Sequence, residues 1–277
     1  MVTLAMAALA LTLTPLGDDD GPTATSEAVT VVRPFAEVQA GEFVFEADPT
    51  NPERAIFHVT TTEPMICAIV WGPTEELGNF NNSLSMNGTG IVDHDVALPG
   101  AVAGTTYYFV VEGFTADGTI YRSDMDTFTI PEAADAAPAD TAAERGPNLS
   151  LEGTVVDVSS EFSDSYAATN AIDDSGLTEW SSAGDGDDAF ITIELAEPRE
   201  VAGVEFITRS MLDGTAITET FTVTVDDGET FGPFPAATAA EPNVAPIDAT
   251  GQTFRFDVDT STGGNVGAVE VRILAAP

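Results

Sequence analysis

Residues 190–207 read FITIELAEPREVAGVEFI. Short runs of Ile, Val, Phe and Thr follow one another, punctuated by Pro198 and Gly203. β-Branched and aromatic residues in runs this short suit strands rather than helices. The same texture extends in both directions. Downstream lie Phe221-Thr222-Val223-Thr224-Val225, Phe254-Arg255-Phe256 and Ala268-Val269-Glu270-Val271. Upstream, runs occupy residues 42–46, 55–61, 66–71, 91–98, 106–114 and 120–130. Neither half of the chain carries a long apolar pattern of helical period, and Gly, Asp and Pro break the runs at intervals of about ten residues, the pattern of a β-sandwich. Alternation is clean in His94-Asp95-Val96-Ala97-Leu98, which sends His94, Val96 and Leu98 inward and the flanking Asp93 and Asp95 outward.

Residues 131–146, PEAADAAPADTAAERG, have no large apolar side chain and read as a solvated, extended linker. The expected fold class is all-β, with two β-sandwich domains. The expected organisation is a signal-like segment and acidic spacer (1–27), a first domain (28–130), the linker (131–146) and a second domain (147–277).

The chain has 277 residues, with 46 Asp and Glu against 8 basic residues, all Arg, and a formal net charge of −38. Nucleic-acid binding needs a basic footprint, and docking on anionic lipid needs clusters of Lys or Arg. Both are excluded as partners. Hydrophobic residues make up 43% of the chain, enough for a packed core rather than a disordered coil. The acid excess is spread along both halves, with no Lys to offset it. A distributed excess of this kind fits a protein kept soluble in high salt, where counterions screen the repulsion, or an acidic secreted protein from ordinary seawater. The one Cys excludes a disulfide framework and a Cys-ligated metal. Cys67 lies in the apolar run Met-Ile-Cys-Ala-Ile-Val and reads as a buried small hydrophobe.

An apolar run from Leu4 to Leu16 stops at Asp18-Asp19-Asp20. It is shorter than the roughly 20 residues of a membrane span. It is similar to the apolar region of a secretory signal, with the small residues Ala8 and Ala10 for cleavage, although no basic residue precedes it. The expected location is outside the cell or on its surface; otherwise the run is a short element packing on the body.

Residues 170–180 read NAIDDSGLTEW. This motif, followed by ITIEL, EPREV and GVEF and then by Asp227-Gly228-Glu229-Thr230-Phe231, resembles a discoidin domain of the coagulation factor 5/8 type C family. The resemblance covers residues 148–274. It implies the galactose-binding-like jelly roll that this family shares with many carbohydrate-binding modules. In the first half, the strand ending in Val96-Ala97-Leu98, the turn from Pro99 to Thr105 and the opening Thr106-Tyr107-Tyr108 resemble a fibronectin type III domain. Tyr107 takes the tyrosine-corner position there, its hydroxyl bonding back onto the preceding corner.

The discoidin resemblance implies one structural calcium ion. Side-chain oxygens would come from Asp173, Thr178 and Glu270, and backbone carbonyls from Asn170, Ser175 and Val269. Such an ion takes about six to eight oxygens of this kind. Where the family has Gly after the Asp this chain has Asp174, with Gly displaced to Gly176. Asp tolerates a left-handed backbone better than most residues. Without an ion, the loop is an Asx-type turn. Asp185 to Asp188 and Asp226-Asp227 lack the ligand spacing and read as solvated turns.

In the sugar-binding relatives, the site uses an Arg, an Asn, a His and a late aromatic. Arg209 matches the Arg. The Asn is replaced by Asp213-Gly214-Thr215, the His by Ser181-Ser182, and the late loop Thr262 to Asn265 has no ring. The candidate ligand residues are therefore Arg209, Asp213 and Asn265, with Phe162 and Tyr166 as possible rings and Met211 and Leu212 as an apolar tip. Trp180 reads as core in preference to a sugar platform, and Trp71 as packing.

Catalysis finds no motif. The two histidines, His58 and His94, lie on expected strands, and no nucleophile elbow, zinc-protease helix or phosphate loop occurs. Sequons at Asn81, Asn87 and Asn148 are few enough to arise by chance. The expected function is a secreted, non-catalytic recognition protein that binds extracellular or cell-surface glycans through its second domain. The alternative is a structural or adhesive component acting through protein–protein contacts, with cell-surface proteins as partners.

Overall fold

The computed structural model describes residues 32–83, 90–131 and 146–276. The signal-like segment, most of the linker and the Asn87 sequon lie outside them. Fifteen strands form two β-sandwiches. The first contains β1 (Val32–Pro34), β2 (Val44–Ala47), β3 (Arg54–Gly72), β4 (Asn79–Ser83), β5 (Ile91–Pro99), β6 (Thr106–Phe114), β7 (Ile120–Arg122) and β8 (Asp126–Thr129). The second contains β9 (Thr154–Val158), β10 (Trp180–Ser181), β11 (Phe190–Thr208), β12 (Ile217–Val225), β13 (Thr230–Pro235), β14 (Ala245–Thr262) and β15 (Gly267–Leu274).

Each sandwich is organised around one strand of 19 residues, where the sequence reads as separate short runs. The first half of β3 pairs with β2 and β5, and its second half with β4 and β6. Its register against β5 breaks between Thr60 and Met65, around Glu63-Pro64. In β11 the register against β14 breaks between Glu194 and Arg199, around Glu197-Pro198, and its partner changes there from β9 to β15. Proline has no N–H to give to a ladder, so the pairing is interrupted while the chain stays extended. In each sandwich the same dipeptide thus divides one long strand into two segments with different sets of partners.

Two separate apolar cores fill the sandwiches. Phe57, Trp71, Val96, Leu98 and Phe109 belong to the first, and Trp180, Phe206, Phe221, Phe254 and Phe256 to the second. Burying each such aromatic or aliphatic side chain stabilises by about 1.5–3 kcal/mol. Trp180 is fully buried, and its Nε1 donates to the Ser160 carbonyl at 3.0 Å, so it is core and not a platform. Cys67 is buried, and burial alone pushes its thiol up to about 12. The Tyr107 hydroxyl donates to the Gly100 carbonyl at 3.2 Å and accepts from the Val102 N–H at 3.1 Å, which closes the corner between β5 and β6.

His94 is buried against Ser83 Oγ at 2.6 Å and Thr61 Oγ1 at 3.2 Å, and burial holds its pKa below the usual value. Both ring nitrogens are thus engaged in the core. The Asp226-Asp227 turn has φ of 49° and 55°, with the Gly228 N–H on the Val225 carbonyl at 2.8 Å, a tight hairpin turn. The Asn148 amide nitrogen is buried without a partner, and Asn81 Oδ1 accepts from Trp71 Nε1 at 2.8 Å. Among the described residues no helix is long and apolar enough to cross a membrane.

Candidate functional site

Two constellations meet at one end of the second sandwich. The first is the loop after the short helical turn Ala168–Ile172. Asp173 Oδ1 accepts from the Ser175 N–H at 2.9 Å, and its Oδ2 from Thr178 Oγ1 at 2.7 Å. Asp174 takes the left-handed conformation, φ 58°, that the family's glycine would occupy. Its N–H then points at Oε1 of Glu270, from β15, and donates to it. The displaced glycine, Gly176, is not at positive φ, so the left-handed position stays where the family has it, filled by Asp174, and the turn is kept.

Glu270 is 2% exposed, and its Oε2 has no hydrogen-bond partner. Burial pushes its carboxyl up to about 8, against the pull of the Asp174 N–H and the Arg272 guanidinium, while Asp174 and Asp173 add to the rise. Arg272 offers little relief, because it is shared between Glu205 Oε2 at 2.9 Å and Asp174 Oδ1 at 3.4 Å. A buried carboxylate oxygen with no donor is costly unless a cation meets it or a proton neutralises it. The oxygen-only donors gathered here suit a hard cation such as calcium. Among the described residues no group of three or more His, Cys, Asp or Glu side chains has metal-holding geometry. An ion would therefore draw on Asp173, Thr178 and Glu270 together with the carbonyls of Asn170, Ser175 and Val269. The Asn170 side chain braces this loop, its Nδ2 donating to the carbonyls of Ser165 at 3.0 Å and Glu179 at 3.1 Å.

The second constellation surrounds Arg209, just beyond β11. Its Nε and Nη2 donate to Glu179 Oε1, and its Nη1 to the Asn265 carbonyl. The guanidinium lies 5.7 Å from the centre of the Tyr166 ring. Tyr166 stands edge-on to Phe162, ring centres 5.9 Å apart. The result is a graded stack: a buried cation, a half-buried ring, and Phe162 at 53% exposure on the outside. Residues far apart in the chain, 162, 166, 209 and 265, are thus brought together. Arg209 is engaged through all three nitrogens, so it supports the rings rather than reaching outward. Met211 and Leu212 are half-buried. Asp213 does not join the cluster; its Oδ1 accepts from the Thr215 N–H at 3.0 Å and from Thr215 Oγ1 at 2.7 Å, which locks its own turn.

Glu179 was missed by sequence reasoning. It stands between Thr178 of the loop and Trp180 of the core, inside the quoted motif, but in so acidic a chain one more carboxylate carries no signal.

Residues 155–271 match the F5/8 type C domain family. No curated protein matches the chain. Among solved structures, chitosan-binding module 1 of a chitosanase/glucanase from Paenibacillus sp. IK-5 is 21% identical over 47% of this chain and 99% of the module, with a TM-score of 0.37. The family 32 CBM of C. perfringens NanJ, solved with galactose, is 15% identical over 45% of this chain and 95% of its own, TM-score 0.37. A fucose-binding module of Streptococcus pneumoniae is 13% identical over 47% and 96%, TM-score 0.38. The F5/8 type C domain holds both constellations: Phe162, Tyr166, the 173–178 loop, Arg209 and Glu270 all fall inside the matched span.

Proposed function

We propose that this chain is a secreted, non-catalytic recognition protein whose F5/8 type C domain binds extracellular or cell-surface glycans. The observation that carries the reading is the exposed Phe162 ring, backed by Tyr166 and Arg209, on the loops at one end of that domain. A sugar ring has an apolar C–H face that packs on an aromatic side chain, and loops on a rigid sandwich are where recognition residues gather. The half-buried Asn265, beside Arg209, offers its side-chain amide to sugar hydroxyls.

One calcium ion, held by Asp173, Thr178 and Glu270 with the carbonyls of Asn170, Ser175 and Val269, pins the neighbouring loop. The unpartnered Glu270 oxygen supports this assignment. The first sandwich is a fibronectin type III-like spacer, a reading that the Tyr107 corner supports. The charge of −38 sets nucleic acid and anionic membranes aside as partners.

A structural or adhesive role through protein–protein contacts is the second reading. What favours it is that Arg209 and Asp213 spend their polar groups inside the chain. A glycan array probed with the full chain separates the two. Retention on a set of related glycans, lost in Phe162→Ala, supports recognition. A blank array for the wild type, with the protein folded, favours the structural reading.

A further inference from the structure

The first sandwich reaches the cation loop of the second. Between β2 and β3 the chain runs Asp48-Pro49-Thr50-Asn51-Pro52-Glu53. This turn is braced from within: Asp48 Oδ1 accepts from the Thr50 N–H at 2.8 Å, Asn51 Oδ1 from the Glu53 N–H at 3.0 Å, and buried Asp48 holds Arg54 at 2.6 Å. From that base, Asn51 Nδ2 donates to the Gly176 carbonyl at 2.7 Å, and Thr50 Oγ1 meets Ser210 Oγ at 2.9 Å. Asn51 is buried by the contact region.

A cavity of about 320 Å³ lies beside this contact, lined by Asn51 and Glu53 from the first sandwich and by Asp174, Gly176, Glu270 and Arg272 from the second, among others. The Glu53 carboxylate rests against Gly176, where an added Cβ would stand 2.9 Å from its Oε2. Glu270, 98% buried by its 2% exposure, lines the same cavity with one oxygen unpartnered. Three carboxylates, Glu53, Asp174 and Glu270, therefore border a space whose one lining guanidinium, Arg272, is already divided between Glu205 and Asp174.

We propose that the calcium ion of the 173–178 loop is also the clasp between the two sandwiches. The inference rests on the calcium reading above and adds a role for the first sandwich. Glu53 places negative charge over the cavity that Glu270 faces, and Asn51 fixes the loop by the carbonyl next to Ser175. A cation against Glu270 is attracted by Glu53 as well. Whatever Glu53 adds to calcium affinity, calcium adds to the contact between the sandwiches, because coupling between two binding events is reciprocal.

The test uses the full chain and two readouts at fixed salt. Calcium affinity is measured by competition with a fluorescent chelator, which ignores loose binding by surface carboxylates. Amide hydrogen exchange is followed at residues 50–54, in the first sandwich. The wild type is expected to show one tight site, and Glu270→Gln to lose it. Glu53→Gln and Gly176→Ala, which displaces the Glu53 carboxylate, are each expected to weaken binding about five- to ten-fold, equal to about 1–1.4 kcal/mol. Calcium is expected to slow exchange at 50–54 in the wild type and not in Glu270→Gln. Glu53 is exposed and Gly176 is not at positive φ, so both variants keep the fold, checked by their melting curves. If the wild type binds tightly, Glu270→Gln does not, and yet Glu53→Gln and Gly176→Ala bind like the wild type with exchange at 50–54 indifferent to calcium, the clasp is overturned and the calcium reading stands. No tight site in the wild type overturns both.

Discussion

Arg209 donates from Nε at 3.0 Å and from Nη2 at 2.8 Å to the same oxygen, Oε1, of Glu179. The pair is nearly dry, with side-chain exposures of 8% and 17%. It ties the end of β11 to the residue just ahead of Trp180, and so holds the Tyr166 and Phe162 rings over one spot. Removing one partner of a buried pair strands the other charge, which costs about 3–5 kcal/mol. Glu179→Ala should therefore destabilise the fold by about that amount in urea unfolding, whereas Asp213→Ala, on an exposed turn, should cost under about 1 kcal/mol. Equal effects for the two would show that the pair does not support the domain.

Chelation should lower the melting temperature. A ligand bound only to the folded chain stabilises it by about 2.7 kcal/mol when free calcium stands 100-fold above its dissociation constant. Asp173→Ala and Glu270→Gln should melt at the same temperature with and without chelator. The measurement is a calorimetric scan in calcium and in chelator, for wild type and both variants.

His58 sits between Asp95 Oδ1 at 2.5 Å and Glu46 Oε1 at 2.9 Å. Partial burial works against the charged ring, but the hydrogen bonds and charges of Asp95 and Glu46 outweigh it and raise the pKa above 6.5. A raised histidine pKa gives stability that is complete below the unfolded-state value of about 6.5 and is lost as pH rises through the folded-state value. The stability advantage of wild type over His58→Gln should accordingly be largest in mildly acid buffer and fade above neutrality. An advantage that grew with pH would reverse the assignment.

Salt should stabilise the chain. With a net charge of −38 and no Lys, repulsion among surface carboxylates opposes the compact state, and added ions screen it. The melting temperature should climb by several degrees from dilute buffer to molar KCl. A flat or falling curve would mean that the acidity has little bearing on folding.

Much of the architecture was legible in the residues. The β-rich runs, the inward His94 and the core place of Trp180 follow from alternation and from the NAIDDSGLTEW motif. What the sequence hid was continuity: Glu63-Pro64 reads as a gap between strands and Glu197-Pro198 as the start of a separate run, yet each lies inside one long strand, because a proline can interrupt pairing without turning the chain. The partner of Arg209 and the reach of Asn51 to Gly176 were equally invisible, the latter spanning 125 residues. Contacts of that kind depend on how loops from different layers come together, and no local pattern encodes them. The discoidin resemblance, not any local pattern, implies that Glu270 lies near Asp173 and Thr178, where the Asp174 N–H meets Glu270 and Thr178 meets Asp173, and the graded stack of Arg209, Tyr166 and Phe162 emerges only in three dimensions.

Calorimetric titration of the full chain with the strongest array glycan tests whether Phe162 is the ligand-facing ring of the proposed glycan-recognition site. Removing a stacked ring that forms the platform costs over about 1.4 kcal/mol, or ten-fold in affinity. Phe162→Ala should therefore bind at least about ten-fold more weakly than wild type, with its melting temperature nearly unchanged because the ring is half in solvent. Equal affinity for the two proteins would place recognition elsewhere than on the Phe162 ring.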